Sequence, residues 1–239
     1  MAVATYFCTT KINTIIAIMT WNQFFTSSIG KKFTMALTGI FLVLFLIIHA
    51  GINSSIFLND NGETFTTLGH FMSHNWIVRF LEIGLFAGLI MHIIQGLVLW
   101  KQNRSARPIP YYNKQDRGST WYSRSMGILG TLLLIFLVIH ISHFFVGTKI
   151  ALYSGDQPHS LYNEMKEVFS HWWIVAIYLG GIIALFWHLL HGFQSAWQTL
   201  GLNNKKYITI IKVIGIGYTV IICTLFALMP LAMYFKWIE

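Results

Sequence analysis

Charge is scarce in this chain. Asp, Glu, Lys and Arg make up only 10% of its 239 residues, against roughly 25% in a soluble domain, whose surface must be solvated by water. That deficit excludes an ordinary water-soluble globular protein. Cysteine is nearly absent as well: Cys8 and Cys223 lie far apart in unlike contexts, so a disulfide scaffold is excluded and two ordinary thiols remain. Disordered and collagen-like chains are excluded by what is abundant instead, since 55% of residues are hydrophobic, 16% are aromatic and the mean hydropathy is +0.60. Most of such a surface has to face lipid. The net charge of +8 would suggest nucleic acid in a soluble protein, but in a membrane chain the placement of charge matters more than its sum, and no nucleic-acid partner is expected.

Apolar runs of about 20 residues, enough to cross ~30 Å of hydrocarbon as helix, occur near Phe33–Asn53, Trp76–Trp100, Ser125–Val146, Trp173–Trp197 and Ile208–Tyr234. The connections between them sort by charge. Lys11, Lys31 and Lys32 precede the first run; Lys101, Arg104, Arg107, Lys114, Arg117 and Arg124 fill the second loop; Lys205, Lys206 and Lys212 mark the fourth. Twelve of the sixteen basic residues thus lie on one side. Cytoplasmic loops retain Lys and Arg, so the expectation is an all-α membrane protein of five transmembrane helices, N-terminus cytoplasmic and C-terminus outside. Residues 23–239 form a single domain, preceded by a segment 1–22. Ile12–Met19 is too short to span and lacks a small-residue cleavage site; a surface-lying stretch and an over-long start, with Met19 as the true one, both fit it.

The chain repeats itself. Met35-x3-Gly39-x9-His49 matches Met126-x3-Gly130-x9-His140 at an offset of 91 residues, and SHNWIV (73–78) matches SHWWIV (170–175). Within the second and fourth runs, Gly84-x3-Gly88-x3-His92-x3-Gly96 parallels Gly180-x3-Ala184-x3-His188-x3-Gly192. Matches in the same order suggest two similar helical hairpins forming a four-helix core, with the fifth helix added.

Six histidines fall within or close to the runs: His49, His92, His140, His143, His188 and His191. A lone intramembrane histidine is often a polar group bonded to a neighbouring helix. The arrangement here argues for more. His49 and His140 lie late in outward-going helices, ~25 and ~24 Å above Lys32 and Arg124 at 1.5 Å per residue; His92 and His188 lie past the middle of inward-going ones. Two layers result, each with two imidazoles, a donor set suited to bis-histidine ligation of haem iron within a helical bundle. Residues four apart share a helix face, so Gly84, Gly88 and Gly96 clear a strip beside His92, and Gly180, Ala184 and Gly192 one beside His188. A flat macrocycle can lie against such a strip. Close helix packing is the ordinary use of small residues, but it does not explain a histidine in each row, and the row favours His188 over His191 as ligand.

His143 and His191 are left as supporting, quinone-side or merely bonded groups; His70, His74, His159 and His171 fall outside the membrane. Of eight acidic residues only Glu82 lies well within a run, where an ion pair with Arg79 is expected. The shortage of mid-membrane carboxylates counts against a proton-driven pump. Trp76, Trp100, Trp121, Trp172, Trp173 and Trp197 are placed as interfacial anchors, and Trp187 next to a proposed ligand either borders the haem or simply packs.

The strings SSIGKKFTMALTG, LIIHAGIN, RFLEIGLF, LIMHIIQGL, FLVIHISHF and FWHLLHGFQSAWQTLGLNNKKY, from about Gln23 to the C-terminus, resemble the cytochrome b558 membrane anchor of succinate dehydrogenase, in the five-helix, dihaem group shared with certain bacterial fumarate reductases. The resemblance implies one axial histidine on each of the first four helices: His92 and His188 for a haem b nearer the cytoplasm, His49 and His140 for an outer one. It also implies a flavoprotein and an iron–sulfur partner of complex II on the cytoplasmic face, a bacterial cytoplasmic membrane, and a quinone, menaquinone by expectation; a dimer of such heterotrimers is compatible with it. Some relatives carry a glutamate near the fourth ligand, proposed to move protons, whereas this chain has Leu185-Phe186-Trp187 there.

Haem propionates need cationic or hydroxyl partners, and Lys32, Arg124, Trp121 and Ser195 are candidates on the inner side and Arg79 on the outer, with interfacial snorkelling as the plain alternative. His74, Arg79 and His143 are candidates for a quinone site. Two other functions remain open: a quinone-reactive cytochrome b serving a hydrogenase or formate dehydrogenase, and a haem-free transporter with polar histidine contacts.

Overall fold

The structure is a computed structural model that describes residues 20–106, 120–154, 160–202 and 204–238. Residues 1–19, with Cys8 and Lys11, and Arg107, Lys114, Arg117 and His159 lie outside that set. Every regular element among the described residues is a helix. Five are long and apolar enough to cross a membrane: Ser28–Leu58, Trp76–Ser105, Met126–Ser154, Trp172–Thr199 and Lys206–Tyr234, called here the first to fifth spans. Four of the expected runs fall inside them, and the third begins one residue early, at Ser125, the residue that precedes the helix.

Local chemistry sets where several spans begin. The first four N–H groups of a helix have no partner within it, and short polar side chains supply one. Ser27 accepts from the Gly30 N–H, Asn75 from Ile77 and Val78, and Asn204 from Lys206. The third span has a different feature. It is α-helical over Met126–Ile141, passes through a π-helical turn at Ser142–Val146 directly after His140, and resumes at Gly147–Ser154. It therefore extends eight residues beyond the expected end at Val146.

That extension corrects one expectation. Glu82 pairs with Lys149, Oε2 to Nζ at 2.7 Å, and not with Arg79. Helical side chains lean toward the N-terminus of their helix, so Arg79 reaches back to donate from Nε to the Ser73 carbonyl at 3.1 Å, with its guanidinium 6.0 Å from the Tyr153 ring centre. Lys149 comes across from the third span to fill the place left beside Glu82.

The first span packs against the second, fourth and fifth; the second against the third; the third against the fourth; and the fourth against the fifth. Tyr218 donates to the Val43 carbonyl at 2.8 Å, fastening the fifth span to the first. The fourth span is the most enclosed, whereas no residue of the second is buried. At the end where the first and third spans finish, called here the far end, connecting segments fold over the spans. Ile56, Phe65 from the helix Glu63–His74, and Tyr162, Met165 and Val168 from the helix Leu161–Val168 join Ile174, Tyr178, Met229 and Met233 in one apolar cluster. Gly62 makes this cap possible. Its φ is +74°, and a Cβ there would sit 2.3 Å from the Tyr162 ring, so both backbone and space demand glycine.

Candidate functional site

Four histidines meet across the spans in two pairs. His49 of the first span faces His140 of the third, ring centres 5.8 Å apart; His92 of the second faces His188 of the fourth, 6.3 Å apart. Each pair bridges spans that lie opposite one another in the ring of packed helices. The spacing has a chemical meaning. Imidazole nitrogen–metal bonds run about 2 Å, and two of them in line, plus the half-width of each ring, place ring centres about 6 Å apart.

The depth of the layers follows from glycine. A Cβ on Gly39 would touch His92 Cε1 at 3.4 Å, and one on Gly130 would lie 3.9 Å from His188 Cε1. Gly39 is ten residues before His49, and Gly130 ten before His140. Both halves of the chain therefore separate the layers by the same rise, ~15 Å.

Hydrogen bonding prepares the rings. The Thr38 hydroxyl donates to the Thr34 carbonyl at 2.8 Å and lies 3.1 Å from His92 Nδ1. Its single proton is engaged, so the oxygen accepts from Nδ1–H, which leaves the His92 Nε2 lone pair free. A ring N–H held by a second group is the usual arrangement of a metal-binding histidine. Asn53 Nδ2 donates to the His49 carbonyl at 2.7 Å and sits 3.4 Å from His49 Nδ1. The Nδ1 atoms of His140 and His188, one in each layer, are buried without a hydrogen-bond partner among the described residues. Orphaned polar atoms of this kind call for an explanation beyond packing.

The small-residue rows divide. A Cβ at Gly84, Gly180 or Gly192 would meet nothing within 4 Å, whereas Gly88 is covered by Phe41 at 3.2 Å and Gly96 by Met35 at 3.4 Å. Ala184 is buried. The tight helix contact of the fourth span is made by the neighbouring Gly181, where a Cβ would lie 2.4 Å from Phe136. Gly84 and Gly180 are exposed and stand eight residues, ~12 Å of helix rise, from His92 and His188; Gly192, one turn from His188, is half-buried. Each histidine pair has the donor type and the spacing with which two imidazoles could hold a haem iron between them.

Around His92 and His188, Trp187 packs on Trp121 at 4.7 Å and on Tyr122 at 5.5 Å. His191 meets Tyr122 at 6.3 Å, while His188 is the one that faces His92. Lys32 and Arg124 are exposed at the same end as this aromatic group, and Ser195 is half-buried. Around His49 and His140, Phe226 of the fifth span lies 5.6 Å from His49. His143 Nδ1 and the Tyr178 hydroxyl share a hydrogen bond of 3.0 Å, and the Tyr178 ring is 6.0 Å from that of His140. Of the three quinone-site candidates, His143 is therefore tied to the His49–His140 pair. His74 stands exposed on the far-end helix, next to the Ser73 carbonyl that Arg79 grips. Two surface clefts, about 410 Å³ along Leu97–Ser105 and about 320 Å³ between the fourth and fifth spans, contain none of the paired histidines.

Thr38, Asn53 and Tyr178 had no role in the sequence reading. Thr38 adjoins Gly39 inside the repeated motif, which is the one signal that could have drawn attention to it. No family model, curated protein or solved structure matches this chain.

Proposed function

We propose that this chain is the dihaem cytochrome b membrane anchor of a succinate:quinone oxidoreductase, a four-helix bundle around two haems with the fifth helix alongside. A single observation carries the reading: four spans each contribute one histidine, and these meet as two pairs stacked ~15 Å apart along the helices. Held by such a pair, a haem would supply one-electron exchange without offering a place for substrate.

The chain's own residues supply position. Thr38 orients His92, the packed fourth span fixes His188, and the far-end cap of Phe65, Tyr162 and Met165 keeps water from the outer pair. On this reading the end carrying Lys31, Lys32, Lys101, Arg104 and Arg124 faces the cytoplasm and docks an iron–sulfur protein and a flavoprotein acting on succinate or fumarate. Menaquinone is the lipid-soluble partner, and His143 with Tyr178 is the polar group offered to it beside the outer pair.

The test is a reduced-minus-oxidised spectrum with haem stoichiometry on the purified complex, followed by single His→Ala changes. Two haems b are expected. His92→Ala or His188→Ala removes the inner component, and His49→Ala or His140→Ala the outer. A colourless protein, a single tetrapyrrole, or loss of a haem with His191→Ala while His188→Ala keeps both would overturn the proposal.

A further inference from the structure

The far-end connector carries another pair of imidazoles, unrelated to the site above. His70 and His74 stand one helical turn apart near the end of the helix Glu63–His74, both exposed, with ring centres 3.8 Å apart and planes inclined by 18°. Residues four apart on a helix are neighbours on one face, and two histidines so spaced are a familiar way to grip a transition metal. His74 Nδ1 lies 2.9 Å from the His70 carbonyl and 3.0 Å from Ser73 Oγ. The Ser73 hydroxyl proton points to that same carbonyl at 3.0 Å. A carbonyl and an oxygen whose proton is engaged can only accept, so Nδ1 carries the hydrogen and Nε2 keeps its lone pair. This is the tautomer in which a metal-binding histidine is held by its backbone. The His70 imidazole itself has no hydrogen-bond partner among the described residues, so either of its nitrogens is available.

We propose that His70 and His74 form a surface chelate for a divalent transition cation of the Cu²⁺, Ni²⁺ or Zn²⁺ type, with water completing the coordination. The parallel rings fan apart by rotation about their exposed side-chain bonds to present both nitrogens to one ion. Among such ions Cu²⁺ binds nitrogen donors most tightly, and it is the probe of choice. The proposal is independent of haem binding, because the imidazoles involved are separate.

The experiment titrates the purified full chain, haem content as isolated, with Cu²⁺ alone, following calorimetry and the nitrogen splitting in the EPR spectrum of bound Cu²⁺. One ion per chain with two nitrogen ligands is expected. His70→Ala and His74→Ala should each weaken it at least tenfold, the double variant hardly further, and His171→Ala not at all. Adding Thr66→His to His74→Ala restores a four-residue spacing with His70 and should recover most of the affinity. The proposal is overturned if the wild-type chain binds no Cu²⁺, if the double variant binds as well as wild type, or if the restored spacing stays weak at unchanged helix content.

Discussion

Thr38 shows how much a single hydroxyl decides. It accepts a hydrogen bond from His92 Nδ1–H while donating one to the Thr34 carbonyl, so one small side chain sets the tautomer of a proposed ligand. Thr38→Val keeps the shape and removes the acceptor. Loss of a group that orients a metal ligand costs about 10–100-fold in affinity, so the inner haem should be lost first on dilution or in detergent, with the outer haem unaffected. Thr38→Ser should behave as wild type; equal retention of both haems in Thr38→Val would remove this role. The Glu82–Lys149 pair acts at the same scale. It sits within the spans, 28% and 17% exposed, where an unmatched charge is expensive. Lys149→Met should destabilise by about 2 kcal/mol by leaving Glu82 without a partner, and adding Glu82→Gln should recover most of that in thermal unfolding. No recovery would mean that the lysine acts through its contact with Phe145, whose ring centre lies 5.2 Å from Nζ.

Among elements, the first and third spans do the same work twice. Each carries a glycine against an inner imidazole and, ten residues on, an outer imidazole of its own. Gly39→Leu places a side chain where His92 Cε1 already stands 3.4 Å from a bare Cβ. Overfilling a packed site moves the neighbour, so the inner haem should disappear from the difference spectrum while the outer remains. Gly130→Leu should act alike through His188, and loss of the outer haem instead would contradict the assignment of depth. This duplication is what made the histidine pairs legible in sequence, because the same spacing occurs at an offset of 91 residues. Thr38 and Tyr178 were not legible. Their partners lie 54 and 35 residues away, and a lone hydroxyl in an apolar run is ordinarily satisfied by its own backbone. The spans were plain from length and hydropathy, yet the third was cut short at Val146. Lys149 looks like a loop residue until its partner on another helix is known. The cap helices Glu63–His74 and Leu161–Val168 escaped for a related reason: their few apolar residues, such as Phe65, Tyr162 and Met165, serve a core built by distant spans.

For the whole molecule, the value of two layers depends on which way the chain crosses the membrane. His92 and His188 serve a partner on the cytoplasmic face only if the end that carries Lys31, Lys32, Lys101 and Arg124 lies on that side. Basic residues are held back from translocation, and the far end has few, Arg79, Lys149, Lys166 and Lys236: Lys149 is engaged with Glu82, while Lys166 lies 5.3 Å from the Tyr162 ring centre. Five crossings then leave the C-terminus outside. A green fluorescent protein joined after Glu239 should stay dark, and alkaline phosphatase joined there should be active, because its disulfides form only in the oxidising compartment. Moving the same reporters to the loop after Arg104 should reverse both signals. If the C-terminal phosphatase proved inactive and the fluorescent fusion bright, the layers would exchange sides. His49 and His140 would then be nearest the cytoplasm, beneath the cap of Phe65, Tyr162 and Met165, and the proposed direction of wiring would fail even with both haems in place.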